Sequence, residues 1–153
     1  MLNDPDEAFF NFKKAKLQWK GLSESDTRSK MVDEIFKGCL GWSESDIVRE
    51  ESIDGGFIDY IFSIEGMPRF VVEAKKCGVC FQVPLSLKSR KYKLGGVISQ
   101  EKDIMKAIEQ AQKYCIEKGT NYGIISNGHQ FVIFEAFITG KEWRNRSCIV
   151  YKS

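Results

Sequence analysis

The chain has 153 residues, 42% of them apolar and 29% charged, with a formal net charge of +2 at pH 7. That composition describes one folded domain with a full core and excludes disordered, collagenous and low-complexity classes. No apolar run approaches the roughly 20 residues of a membrane-crossing helix, and Met1-Leu2-Asn3-Asp4-Pro5 lacks the basic and apolar regions of a signal peptide, so a soluble cytoplasmic protein with no membrane contact is expected.

Residues 5–19 place Phe9, Phe12, the stem of Lys16 and Trp19 on or near one helical face. They predict an amphipathic helix within an N-terminal extension, 1–22, packed on the domain 23–153. Ser23 to Asp26 has the form of a helix N-cap with an acid at the third position. Met31, Val32, Ile35, Phe36, Cys39 and Leu40 then follow at helical spacing, and Gly41 suits the stop. The period changes at Ile47. Residues 47–53 and 57–64 flank Asp54-Gly55-Gly56 and predict a β-hairpin. Glu65-Gly66-Met67-Pro68 turns into a strand over 69–75. A long connection punctuated by Pro84 and Gly95-Gly96 follows, and Ser99 is placed to cap a helix running through Ile104, Ile108, Ala111 and Cys115 to Lys118-Gly119. Strands are expected over 122–126 and 130–137, joined at Asn127-Gly128, with a last short strand over 148–151. This order predicts an α/β sandwich with a mixed central sheet flanked by helices.

Charge is unevenly distributed: residues 1–60 hold 8 Lys/Arg against 13 Asp/Glu, residues 61–153 hold 15 against 8. The sharpest basic stretch contains Lys76, Lys88, Arg90, Lys91 and Lys93 with Tyr92 interleaved and no acid between. It reads either as a mobile loop tracking a phosphate backbone, with Tyr92 to stack on a base, or as a solvated surface loop. The five cysteines, Cys39, Cys77, Cys80, Cys115 and Cys148, are expected to be reduced thiols. Cys77 and Cys80 have zinc-ligand spacing, but no second close Cys or His pair completes a structural zinc site. His129 is the only histidine, and it reads as a hairpin residue beside Asn127-Gly128.

The strands 57–62 and 70–74 are apolar on both alternation faces, as in strands buried on both sides, yet they carry Asp59 and Glu73. Glu73 and Lys75 point the same way and Ala74 the opposite way, and a neighbouring antiparallel strand can bring Asp59 alongside. Two carboxylates in an apolar setting call for a compensating cation, for which a divalent metal is a natural candidate. The plain alternative is a same-face ion pair between Glu73 and Lys75, with Asp59 paired elsewhere.

Asp59 preceding a strand with Glu73-Ala74-Lys75, within this element order, resembles the PD-(D/E)XK nuclease superfamily. More narrowly, the chain resembles the N-terminal nuclease domain of type I restriction enzyme motor subunits and related prokaryotic defence proteins. The matching segments are Glu24-Ser25-Asp26-Thr27-Arg28, Leu40-Gly41-Trp42, Gly56 to Tyr60, Val71 to Lys76, Gln110 to Tyr114, and Ile125 to Gly128 before an apolar strand. The resemblance implies a restriction-endonuclease-like sandwich and a metal-dependent endonuclease acting on DNA phosphodiester bonds in a restriction or antiviral system. It implies Asp59, Glu73 and the Ala74 carbonyl as ligands of Mg²⁺, with Mn²⁺ as substitute. It implies Lys75 beside the attacking water, Gln110 and Tyr114 as supports on one helix face, and Glu24, or less favourably Glu34, as an acid near the metal. Ile58-Asp59 stands where the superfamily's name has Pro-Asp. The chain contains no phosphate-binding Gly-x-x-x-x-Gly-Lys-Ser/Thr loop, so a motor, sensor or NTPase domain would have to come from elsewhere. A homodimer is compatible with cutting two strands. A catalytically silent nucleic-acid-binding or interaction module and an RNA-directed nuclease are the competing functions.

Overall fold

The computed structural model describes residues 7, 10, 11, 13, 14, 23–54, 56–75 and 81–152. Of the expected helix 5–19, the described Glu7, Phe10, Asn11, Lys13 and Lys14 are helical and exposed; Phe9, Phe12, Lys16 and Trp19 lie outside the described residues, as do Cys77 and Cys80.

The first helix of the domain, α1, begins as Glu24–Thr27 and continues as a wider, π-type helix over Arg28–Cys39. Its start is the expected reciprocal cap: Asp26 N–H donates to Ser23 Oγ at 3.0 Å and Ser23 N–H to Asp26 Oδ2 at 3.3 Å. The sequence pattern does not signal the wider winding, which persists to the last turn, where Leu40 N–H donates to Ile35 O at 2.9 Å. The chain leaves the helix through Gly41 at φ +76°, a conformation that side chains with a Cβ resist.

Seven strands follow: β1 (Ile47–Ile53), β2 (Gly56–Ile64), β3 (Met67–Ala74), β4 (Lys91–Lys93), β5 (Tyr122–Ser126), β6 (Gln130–Glu135) and β7 (Ser147–Lys152). They form one mixed sheet in the order β1-β2-β3-β5-β6-β7-β4. Every neighbouring pair is antiparallel except β3 and β5, which run parallel with Glu73 opposite Ile125 and Ala74 opposite Ser126. The second helix, α2 (Lys102–Lys118), lies between them in sequence and ends at Gly119. Ser99 does not cap it. Its hydroxyl donates instead to Gly96 O at 2.6 Å, within a 3₁₀ turn Val97–Gln100 that leaves Glu101 at the cap position. β4 also departs from expectation: three residues of the basic connection pair with β7 through Lys91–Ile149, Tyr92–Cys148 and Lys93–Ser147. Three residues with alternating charge carry too little periodicity to signal a strand.

The sheet separates two cores. On one face Ile104, Ile108 and Ala111 of α2 pack with Val71, Ile125 and Val132. On the other, Phe36 of α1 packs with Tyr60, Phe62, Val72 and Ala74. Phe62 and Phe70 stack with centroids 4.7 Å apart, and Trp42 meets both edge-on at 5.3 and 5.4 Å. This two-sided burial explains why β2 and β3 are apolar on both faces apart from Asp59 and Glu73, with Ile58 to Phe62 and Val71 to Ala74 all buried. No helix among the described residues is long and apolar enough to cross a membrane.

Candidate active site

The neighbouring strands β2 and β3 place Asp59 and Glu73 opposite each other, one step beyond the pair Tyr60–Val72. Both carboxylates are buried, at 6% and 2% exposure. Each takes a backbone donor from the facing strand: Asp59 N–H donates to Glu73 Oε1 at 3.2 Å and Ala74 N–H to Asp59 Oδ2 at 3.0 Å. Side chain to backbone bonds thus replace the regular ladder at this point, which holds both carboxylates between the strands.

As expected from the pleat, Val72 and Ala74 belong to the core beneath α1, while Val71 belongs to the core beneath α2. Lys75 therefore follows Glu73 onto the α2 side. Its Nζ lies 3.5 Å from Glu73 Oε2 and donates to Gln110 Oε1 at 2.9 Å. Gln110 Nε2 in turn donates to the Tyr114 hydroxyl at 3.1 Å, one helical turn along α2. Gly56 completes this line: a Cβ there would stand 3.3 Å from the Tyr114 hydroxyl, at a φ of +153°. The backbone of Lys75 is fixed separately by donation to Ser126 O at 2.7 Å.

The electrostatics follow from this geometry. Burial first, then the neighbouring Asp59 carboxylate, push the Glu73 carboxyl up to about 7, with Lys75 opposing the rise. Among the described residues Lys75 is the ammonium beside Glu73, and the neighbouring carboxylates of Asp59 and Glu73 repel each other when both are ionised. Their oxygen donors suit a hard divalent cation such as Mg²⁺ or Mn²⁺. Among the described residues no third His, Cys, Asp or Glu joins them. Glu24 and Glu34 sit on α1, whose core lies on the face of the sheet opposite that of α2. Glu34 is exposed, and the Glu24 side chain lies outside the described residues.

The basic stretch is placed differently from its sequence position. Although it follows β3 in the chain, β4 lies four strand spacings away across the sheet, about 19 Å at the usual strand separation. Lys88, Arg90, Lys91 and Lys93 are exposed there, while Lys76 lies outside the described residues. Tyr92 is not available for base stacking. It is buried at 7% exposure, its hydroxyl donates to Lys88 O at 2.9 Å, and the Arg90 guanidinium lies over its ring at 4.7 Å. The alternation of β4 turns the aromatic ring inward and the lysines outward, a common protection of an edge strand.

Sequence reasoning passed over Lys106 and Lys113. Both are exposed on α2, four residues before and three after Gln110 and so on neighbouring turns of the same side of the helix. That spacing from Gln110 was the signal available. Asn127, expected only as a turn residue and part of a matching segment, does more: its Oδ1 accepts the N–H groups of His129 and Gln130 and its Nδ2 donates to Phe81 O at 3.0 Å. Asn127 thereby ties the returning connection after β3 to the end of β5, with His129 in the hairpin as expected. Cys39, Cys115 and Cys148 are free thiols, and burial pushes the latter two up to about 11. No family model, curated protein or solved structure matches the chain.

Proposed function

We propose that the chain is a metal-dependent nuclease domain of the PD-(D/E)XK type that hydrolyses DNA phosphodiester bonds, within a restriction or antiviral system. The observation that carries this reading is the convergence of Asp59, Glu73 and Lys75 at one point of the sheet, with Lys75 held by Gln110 and Tyr114. Core ion pairs do not require a second carboxylate against the first, which raises the cost of burial. A helix–sheet–helix layering with the acidic pair at the centre is also the arrangement expected of a restriction-endonuclease-like sandwich.

Asp59, Glu73 and the Ala74 carbonyl would hold Mg²⁺ or Mn²⁺, which supplies Lewis-acid stabilisation of phosphate oxygens and acidifies a bound water. Lys75 presents its ammonium beside Glu73, where it orients the attacking water and stabilises charge developing on the phosphoryl group. The Gln110–Tyr114 pair fixes the direction of that ammonium, and Lys106 and Lys113 offer phosphate contacts on the same side. None of these groups reads base edges, so cleavage should show little sequence preference. Matched DNA and RNA strands incubated with Mg²⁺ test the proposal, with Asp59→Ala as control. Cleavage of DNA alone, lost in the variant, is expected. Cleavage of RNA alone would reassign the substrate, and metal-independent binding without cleavage of either would replace the nuclease with a binding module.

A further inference from the structure

A regular β-strand sends residues two apart to the same face of the sheet. Strands β1 and β2 break that rule at one shared point. In β1, Arg49 reaches α1, where its Nη1 lies 2.7 Å from Asp33 Oδ1, whereas Glu51 pairs with Lys118 at the end of α2. In β2, Tyr60 packs in the core beneath α1 and Ile58 in the core beneath α2. Alternation is regular again beyond it, with Ile61 beneath α2 and Phe62 beneath α1. Arg49 stands opposite Tyr60 and Glu51 opposite Ile58, so the two strands roll over between these pairs, at Glu50 and the facing Asp59.

The backbone of Glu50 produces the roll: its φ is +50°, a left-handed conformation uncommon for a residue with a Cβ. Such a residue persists where its surroundings over-determine it, and it marks functional sites more often than others. Here one ion pair to each helix does so. Asp33 Oδ1 and Glu51 Oε2 are both shielded from water, so loss of Arg49 or Lys118 would leave a buried carboxylate oxygen without its cation. Arg49 is held further by Glu44, at 2.8 and 2.9 Å, and its guanidinium lies 5.2 Å from the centre of the Tyr60 ring.

We infer that this roll is a positioning device for Asp59, with Glu50, Arg49 and Lys118 as positioning residues. On an unrolled strand Asp59, as the neighbour of Ile58, would face the core beneath α1. The roll turns it instead into the plane between β2 and β3, where its Oδ2 accepts Ala74 N–H at 3.0 Å and its own N–H donates to Glu73 Oε1 at 3.2 Å. The geometric role of the three residues is independent of the nuclease reading; that the placed carboxylate serves a metal rests on that reading.

Amide hydrogen exchange of the full, metal-free chain, followed by NMR, tests the inference. Glu50→Gly and Glu50→Val remove the same side chain, but glycine adopts a positive φ freely and a β-branched residue resists it. The Ala74 amide should stay as protected in Glu50→Gly as in wild type and exchange at least about ten-fold faster in Glu50→Val, while amides of β6 such as Val132 keep their protection. Lys118→Glu should behave like Glu50→Val, and the exchanged pair Glu51→Lys/Lys118→Glu should restore protection. Mn²⁺ affinity by calorimetry should follow the same order. Equal Ala74 exchange in Glu50→Gly and Glu50→Val, or no change in Lys118→Glu, would overturn the inference. A wild-type chain that binds no Mn²⁺ but shows the expected Ala74 pattern would reject the metal centre and uphold the positioning of Asp59.

Discussion

Replacing Glu73 by Gln should make the protein more stable at neutral and alkaline pH, although the residue is buried and hydrogen-bonded. Its carboxyl titrates at about 7 in the folded chain against an ordinary 4.5. Below the ordinary value it is neutral in both states and contributes no difference. As pH rises from 4.5 to 7 the unfolded chain releases the proton while the folded chain retains it, so stability falls across that window and levels off above it. At 1.36 kcal/mol per pH unit the accumulated loss is about 3 kcal/mol. Gln can still accept from Asp59 N–H, but its amide group faces the Lys75 ammonium, so the net gain should be smaller, about 1–2 kcal/mol at pH 8. Urea unfolding of both proteins in EDTA from pH 5 to 8.5 reads this directly. Mg²⁺ at a hundred times its dissociation constant should raise wild-type stability by about 2.7 kcal/mol and leave the variant nearly unmoved. Parallel pH profiles, or equal stabilisation of both proteins by Mg²⁺, would refute the picture of a buried, mutually repelling acidic pair.

Gly56→Ala should displace the Tyr114 hydroxyl and strain the backbone, and Tyr114→Phe should remove the bond to Gln110. Both are expected to lower the cleavage rate by roughly 10-fold or more while leaving Mg²⁺ affinity, measured by calorimetry, within about two-fold. Phe62→Ala removes a fully buried ring between Phe36, Trp42 and Phe70, for which denaturation should show a loss of about 3–5 kcal/mol. The double variant Lys106→Ala/Lys113→Ala should reduce the slope of log affinity for duplex DNA against log salt by about 1.8. Lys91→Ala/Lys93→Ala, on the far edge of the sheet, should change it less, as binding titrations between about 50 and about 200 mM salt would show.

Much of the fold was legible because local chemistry and burial agree. The capping pair Ser23–Asp26, the hairpin glycines before β2 and the two-sided apolar runs of β2 and β3 all signal the elements they form. The pleat alone predicted that Glu73 and Lys75 share a face, and helical spacing predicted that Gln110 and Tyr114 meet. What escaped were decisions made by tertiary contact. Ser99 has a local alternative in Gly96 O, and nothing in a single sequence says which acceptor wins. β4 exists because β7 offers it an edge, and that pairing carries the basic stretch away from the carboxylates and turns Tyr92 into the core. Adjacency in the chain was a poor guide there, since the parallel pairing of β3 with β5 sends the intervening residues around the sheet.

Plasmid cleavage by the full chain with Mg²⁺, Mn²⁺ or EDTA, run beside Lys75→Ala, tests the central claim most directly. The account predicts nicking or linearisation with either metal, none in EDTA, and a loss of at least about 100-fold in the variant, in keeping with removal of a group that stabilises transition-state charge. Cleavage by Lys75→Ala at the wild-type rate, or undiminished cleavage in EDTA, would contradict it.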